Sequence, residues 1–292
     1  MPTKKPQVHI VCYDDGHIIP RMYRWLSQVL GWSMGPFVAT ESDVINYYAP
    51  YTMLGHYGAS NGKSMAWFTH KETASPAKIA IWERGKQAID YPLVTSPLYQ
   101  FELGARFITP GIDQDHFKPR GKQSGKGIIG VVGTYQPRKG PELALTLNSI
   151  KAVKTVQVVG ADWPSFTNSQ KIPYSDMPSF YCGLDLFVCT STEEGIPAPP
   201  LEALACGIPV VIPRNVGMLD LLPDEAGIYR YESGNEKEMA TAVRAALAAK
   251  HDRNTLRDFV APYTIGAWVE SHQRIIEEIS AHGASAITQV EN

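Results

Sequence analysis

Short, strongly apolar segments alternate with helical patterns along the whole chain, and this alternation restricts the fold more than any other feature. Several segments are apolar at consecutive positions, which is typical of parallel strands covered by helices on both faces. Strands separated by helices predict βαβ units and an α/β protein. The predicted strands are 8–12, 44–48, 65–69, 93–95, 107–109, 128–132, 155–159, 186–190 and 210–212.

A polar, glycine-rich stretch, Gly121-Lys-Gln-Ser-Gly-Lys-Gly127, divides the chain in a way that is typical of a linker. A total of 292 residues is enough for two modest domains. We therefore predict an N-terminal domain over 1–110, a linker over 111–126 and a C-terminal domain over 127–264. An amphipathic pattern predicts a last helix over 265–282.

The composition excludes several classes of protein. The formal net charge is -2 and hydrophobic residues make up 44% of the chain, so a general cationic surface for nucleic acid or membrane is not indicated. No apolar run approaches the roughly 20 residues that span a bilayer. The first residues lack the apolar segment of a signal peptide. We expect a cytoplasmic protein whose four cysteines, none of them in a C-x-x-C pair, are buried free thiols.

The segment Gly58-Ala-Ser-Asn-Gly-Lys-Ser64 resembles a phosphate-binding P-loop. A P-loop has four residues between its glycines and opens a helix. This segment has three residues between them and precedes a predicted strand. We interpret it as a surface turn.

Two glutamates in a segment rich in glycine and proline predict a ligand site. Glu194 lies in the loop after the predicted strand 186–190, and Glu202 lies in the first turn of a helix predicted to begin near Pro199 or Pro200. Open α/β sheets bind ligands beyond the carboxyl ends of their strands. Amide groups at a helix N-terminus attract anions, and carboxylates accept strong hydrogen bonds from hydroxyls. The pattern indicates a ligand with both phosphate and hydroxyl groups.

The segment from Glu194 to Val211 resembles the E-x7-E signature of retaining glycosyltransferases of GT-B fold, especially glycosyltransferase family 4. The resemblance implies two Rossmann-like domains that face across a cleft, with the last helix crossing back to the N-terminal domain. It implies that Glu202 binds the ribose hydroxyls of a nucleoside-diphosphate sugar and that Glu194 faces the donor sugar. It also places the amides near Gly195 and Ile196 close to the sugar or the β-phosphate.

A second segment, 131–140, resembles the family's G-R-x-x-P-x-K-G, whose Arg and Lys neutralise the donor diphosphate. Gly133 and Lys139 match this pattern. Thr134 stands where the family has its Arg, and Arg138 is a candidate to compensate for it.

Three further places are assigned by the resemblance. His70 follows a predicted strand, where the family has a His that approaches the donor sugar. Pro173 lies where the family's backbone meets the nucleotide base. The loop after the first strand holds Asp14, Asp15 and Gly16 in place of the family's acceptor loop. The two aspartates are candidates for contact with the acceptor or diphosphate, or are turn residues.

The resemblance implies transfer of a hexose-like sugar from a UDP- or GDP-type donor to an acceptor hydroxyl, with retention. His70, Glu194 and Lys139 are the predicted catalytic residues, and no metal ion or cofactor is expected. The main physical task is to stabilise the negative charge that grows on the leaving diphosphate.

Two other functions remain open: a sugar-nucleotide epimerase or phosphorylase of the same fold, and a non-catalytic nucleotide-sugar-binding protein. The acceptor also remains open among a saccharide, a lipid and DNA carrying modified bases.

Overall fold

The chain folds into two compact units, each built on one parallel sheet. The first unit joins the chain up to Gly111 with the residues from Gly266 onward, and the second unit is Ile112–Ile265. The computed structural model describes residues 6–13, 18–58, 62–121, 123, 125–167 and 169–282.

The strands confirm the predicted α/β class. In the described residues the first sheet contains β1 (Gln7–Val11), β2 (Ser33–Gly35), β3 (Val44–Tyr48), β4 (Ser64–Phe68), β5 (Tyr91–Val94) and β6 (Arg106–Phe107). The second sheet contains β7 (Ile128–Val132), β8 (Thr155–Val159), β9 (Leu186–Val188), β10 (Val210–Pro213) and β11 (Ile228–Tyr231). Every residue of β3, β4, β9 and β10 is buried, as parallel strands covered on both faces should be.

Helices connect the strands. They are α1 (Ile18–Leu30), α2 (Leu54–Tyr57), α3 (Pro76–Ala88), α4 (Pro97–Leu103), α5 (Pro141–Thr146), α6 (Met177–Cys182), α7 (Ala198–Ala205), α8 (Glu236–Ala248), α9 (Arg253–Asp258) and α10 (Ile265–His282). Side-chain caps begin three of them, since Ser75, Asn235 and Asp252 accept a hydrogen bond from a first-turn amide of α3, α8 and α9. No helix in the described part of the chain is both long and apolar enough to cross a membrane.

Both sheets are wound in the same way. The strand order is β2-β1-β3-β4-β5-β6 in the first and, read from its other edge, β8-β7-β9-β10-β11 in the second. In the first sheet β1 pairs with β2 on one side and with β3 on the other, and in the second sheet β7 pairs with β8 on one side and with β9 on the other. The reversal creates a switch point, between β1 and β3 in the first unit and between β7 and β9 in the second.

The last helix, α10, belongs to the first unit, which confirms its predicted return to the N-terminal domain. Its buried face carries Trp268 and His272. The ring of Trp268 lies 5.4 Å from that of Tyr23 on α1, in an edge-to-face arrangement. His272 Nε2 lies 2.8 Å from the hydroxyl of Tyr47 on β3, which is 2.7 Å from the hydroxyl of Tyr23. An aromatic, hydrogen-bonded core therefore holds the helix.

The core of the second unit includes part of the segment predicted to be a linker. Ile112 and Phe117 are buried in it. The amide of Ile112 donates to the carbonyl of Tyr263 at 2.9 Å, which ties the two ends of this unit together. The fold therefore uses some of residues 111–126 for packing.

The sequence missed two strands, β2 and β11. Ser33-Met-Gly35 is short and has no apolar run, and Ile228-Tyr-Arg-Tyr231 mixes buried and half-buried positions. Both lie at the edge of their sheet, where one neighbouring strand is enough to hold a segment with a weak pattern.

Candidate active site

The switch point of the second sheet brings together two loops that carry predicted site residues. Arg138 and Lys139 follow β7, and Glu194 follows β9, the strand that pairs with β7. From β7 the chain continues to β8, and from β9 it continues to β10, on opposite sides of this point. A crevice therefore opens between the two connections at the carboxyl edge, where α/β sheets bind ligands.

Two cationic side chains converge on one carboxylate at this point. The Nζ of Lys139 donates to Oε1 of Glu194. Nη1 of Arg138 lies 3.4 Å from the same oxygen. Glu194 is only 6% exposed, whereas the side chains of Lys139 and Arg138 retain 17% and 23% of their exposure. A buried carboxylate partnered by two cations leaves an excess of positive charge that suits an anionic ligand.

Hydrogen bonds and one glycine hold the two loops together. The hydroxyl of Thr190 donates to the carbonyl of Lys139 at 2.7 Å, and the amide of Thr192 donates to that of Arg138 at 2.8 Å. Gly140 has φ +58°, and a Cβ there would lie 2.1 Å from the oxygen of Thr190. Only glycine allows this approach, which fixes the backbone that carries both cations.

The loop of Glu194 is also packed against Gly217, which has φ +59°. A Cβ at Gly217 would lie 2.6 Å from the oxygen of Glu194 and 2.7 Å from that of Gly195. The amide of Met218 donates to the carbonyl of Gly195 at 3.1 Å. Within the described residues, the amides of Gly195 and Ile196 donate no hydrogen bond of their own. The loop that carries Glu194 therefore has two amides available to donate to a ligand, and backbone amides of this kind can bind an anion.

Glu202 lies on α7 and is held by Tyr181 of α6. The hydroxyl of Tyr181 donates to Oε2 of Glu202 at 2.7 Å, and both residues are buried. Burial raises the pKa of Tyr181 well above its ordinary value, so the hydroxyl keeps its proton and remains the donor. Because α7 begins at Ala198, Glu202 lies in its second turn, and the prediction of the first turn was wrong.

The four cysteines are free and buried, as predicted. Cys189 directly follows β9 and interacts electrostatically with Glu194 and Lys139. Burial raises the pKa of its thiol to about 11. The thiol is therefore protonated at neutral pH, which makes it a poor nucleophile.

The other predicted site residues lie in three places. Gly133 and Thr134 follow β7 directly and are half-buried, and Pro173 is exposed ahead of α6. His70 belongs to the first unit, two residues after β4, and its Nε2 lies 3.1 Å from Oε1 of Glu72. Asp14, Asp15 and Gly16 lie outside the described residues.

Tyr181, Thr190 and Gly217 support the site but were not singled out from the sequence. Each acts on a residue far along the chain: Tyr181 on Glu202, Thr190 on Lys139, and Gly217 on the Glu194 loop. Only the position of Thr190, at the end of a predicted strand, gave a signal that could have marked it.

Two parallel sheets of this winding, with a site at the second switch point, are the GT-B fold, which is the fold of a large class of glycosyltransferases. Within this fold, residues 138–261 match the protein family described as "Glycosyl transferase-like". That match begins at Arg138 and includes Lys139, Glu194 and Glu202.

Similar proteins with curated descriptions are glycosyltransferases. The D-inositol 3-phosphate glycosyltransferase of Geodermatophilus obscurus is 25% identical over 224 residues, covering 62% of this chain and 49% of that protein. A second protein of that description, from Catenulispora acidiphila, is 25% identical over 183 residues, covering 49% of this chain and 42% of its own. The chain thus spans about half the length of the curated relatives it matches.

Solved structures show the same fold at low sequence identity. HepE of Anabaena, in complex with UDP-glucose, has a TM-score of 0.68 and 14% identity, and the alignment covers 94% of this chain and 98% of HepE. Sucrose-phosphate synthase of Thermosynechococcus elongatus has a TM-score of 0.69 and 15% identity, with coverage of 92% and 80%.

Proposed function

We propose that this protein is a glycosyltransferase that moves a hexose-like sugar from a nucleoside-diphosphate sugar to an acceptor hydroxyl, with retention and without a metal ion. The observation that carries the proposal is the convergence of Lys139 and Arg138 on buried Glu194 at the switch point. The glycosyltransferase-like match over 138–261 supports it, as does the UDP-glucose complex of HepE.

In this proposal, the second unit binds the donor. Lys139 and Arg138 bind the diphosphate by ion pairing, and the amides of Gly195 and Ile196 donate hydrogen bonds to it. Glu202, oriented by Tyr181, accepts hydrogen bonds from the ribose hydroxyls, and charged acceptors make such bonds strong.

The chemical step breaks the bond between the anomeric carbon and the diphosphate oxygen, and forms a bond from that carbon to the acceptor oxygen. The acceptor proton passes to the departing phosphate oxygen on the same face of the sugar, so the step needs no protein nucleophile. Lys139 and Arg138 lower the barrier because they stabilise the charge that develops on the diphosphate. His70 remains a proposed contact to the donor sugar, and the absence of a cofactor and the cytoplasmic location remain predictions from the sequence.

The experiment measures binding and transfer separately. UDP-glucose, UDP-N-acetylglucosamine and GDP-mannose are each added to the protein, and the rise in Tm is recorded, because a ligand that binds the folded state stabilises it by mass action. We expect one donor to raise Tm. We expect Lys139→Met or Glu202→Gln to abolish the rise, and Lys139→Met to lower the rate of transfer or donor hydrolysis about 10²- to 10³-fold.

Lys154→Met is the matched control, because Lys154 is exposed and directly precedes β8, at the amino edge of the same sheet. Each variant is compared with its own ligand-free Tm, which removes effects on folding. The proposal is wrong if no donor raises Tm, or if Lys139→Met responds as the control does.

Thr134, which stands in place of the family's Arg, favours a second candidate: a protein that binds a nucleotide sugar without transferring it. A donor that raises Tm but is neither hydrolysed nor transferred would support this function instead.

A further inference from the structure

A group of aromatic side chains, three exposed and one, Tyr57, half-buried, lies at the carboxyl edge of the first sheet. Tyr13 follows β1, Phe37 follows β2, and His56 and Tyr57 lie in α2 after β3. We refer to these four residues as the Tyr13 cluster. Tyr13 is 43% exposed and Phe37 is 69% exposed, and neither contributes to the hydrophobic core.

Contacts within the cluster hold the rings at steep angles to one another. The hydroxyls of Tyr13 and Tyr57 are 2.8 Å apart. The ring of Tyr13 lies 5.7 Å from that of His56 at 89°, and the ring of Phe37 lies 6.1 Å from that of Tyr57 at 74°. The cluster therefore combines aromatic rings with two phenol hydroxyls that are hydrogen-bonded to each other.

The position of the cluster is that of a ligand site. It surrounds the switch point between β1 and β3. In the second sheet the corresponding place, between β7 and β9, is where Lys139 meets Glu194. Exposed aromatic surface is costly in water, at about 25 cal/mol per Å² of apolar area, and grouped exposure of this kind marks a binding surface.

The chemistry of the cluster favours a neutral ligand with apolar faces and hydroxyls. A pyranose ring offers a face of C–H groups, which packs on an aromatic ring, and hydroxyls, which bond to phenol oxygens. The four residues include no lysine or arginine, and the sequence continues from Tyr13 with Asp14 and Asp15. A phosphate backbone or an anionic lipid surface instead requires cationic contacts.

We propose that the Tyr13 cluster binds the acceptor, and that the acceptor is a neutral saccharide whose pyranose ring packs on Phe37 and Tyr13. This inference rests on the proposed glycosyltransferase function, because it names the acceptor of that reaction. Phe37 and Tyr13 become specificity-determining residues for the acceptor and take no part in binding the donor.

The test measures glycan binding without a donor. The full chain is applied to an array of neutral and acidic glycans, and the best neutral glycan is then titrated by saturation-transfer NMR. We expect Phe37→Ala and Tyr13→Ala to weaken its binding at least tenfold. Phe101→Ala is the matched control, since Phe101 lies in the same unit and is 96% exposed on α4. The control should bind as the wild type does.

Two results would overturn the proposal: binding to no neutral glycan, and binding that Phe37→Ala and Tyr13→Ala leave unchanged. Preferred binding to single-stranded DNA or to phosphatidylglycerol vesicles would overturn it as well. The Tm rise with a nucleotide sugar is recorded for the same variants. If the glycosyltransferase proposal is wrong, no nucleotide sugar raises the Tm of the wild type. If only the acceptor proposal is wrong, a nucleotide sugar still raises the Tm of the wild type and of the variants.

Discussion

The two switch points of this protein share a topology and differ in chemistry. In the second unit, Lys139 and Arg138 meet the buried carboxylate of Glu194. In the first unit, the corresponding place is surrounded by the aromatic Tyr13 cluster, and the core beneath the last helix is a hydrogen-bonded set of Tyr23, Tyr47 and His272.

This difference shows that one winding can carry two chemically different surfaces. The order of the strands decides where a crevice forms, because the connections diverge there. The side chains on the loops decide what binds in it. Charge in the second unit suits a diphosphate, and neutral aromatic surface in the first suits a sugar ring.

The loops of the second site depend on close backbone contact, and Gly140→Ala is the strongest test of this. Alanine would have to adopt φ +58° and would also meet the oxygen of Thr190. We expect a loss of about 3–5 kcal/mol in the free energy of unfolding, from the left-handed backbone and the overpacking together.

Gly104→Ala in the first unit is the matched control, because Gly104 has the same φ of +58° with nothing within 4 Å of its Cβ position. We expect it to lose only about 1–2 kcal/mol. The free energy of unfolding is measured in urea for both variants. Equal losses would show that the approach of the added Cβ to the oxygen of Thr190 costs no stability.

The core of the first unit should make that unit sensitive to acid. Burial lowers the pKa of His272 from its ordinary 6.5 to about 4. Between these values the unfolded chain binds a proton that the folded chain does not, so stability falls as pH drops from about 6.5 toward 4, by up to roughly 3 kcal/mol.

Tryptophan fluorescence reports this effect well, because Trp163 is in the second unit and the other five tryptophans, Trp25, Trp32, Trp67, Trp82 and Trp268, are in the first. Urea unfolding is followed at pH 7 and pH 5 for the wild type and His272→Gln. The variant should lose most of the pH dependence; a slope identical to that of the wild type would contradict the assignment to His272.

The smallest expected effect compares two buried tyrosine hydroxyls of the second unit. One donates its hydrogen bond to a charged carboxylate and the other to a neutral backbone carbonyl. Tyr181→Phe removes the phenol hydrogen bond to the buried carboxylate of Glu202 and should cost about 1–3 kcal/mol. Tyr231→Phe removes an equally buried bond, 2.8 Å long, to the carbonyl of Cys189, and should cost about 1 kcal/mol. If chemical denaturation gives Tyr231→Phe the larger loss, Glu202 does not depend on Tyr181.

Much of the fold was predictable because its strands are apolar over consecutive positions. Strands 44–48, 128–132 and 155–159 were predicted with the bounds that the structure shows. The edge strands β2 and β11 were missed because their segments have little apolar pattern and are held by one neighbouring strand.

The sequence by itself determined the α/β class, the two-unit organisation and the residues with candidate chemistry, since these depend on local spacing and residue type. Only the tertiary structure decided that Lys139 and Arg138 share one carboxylate of Glu194, that Tyr181 orients Glu202, and that exposed rings surround the first switch point. Such contacts join residues tens of positions apart, and which side chains meet is set by strand order and by the close approach of loops.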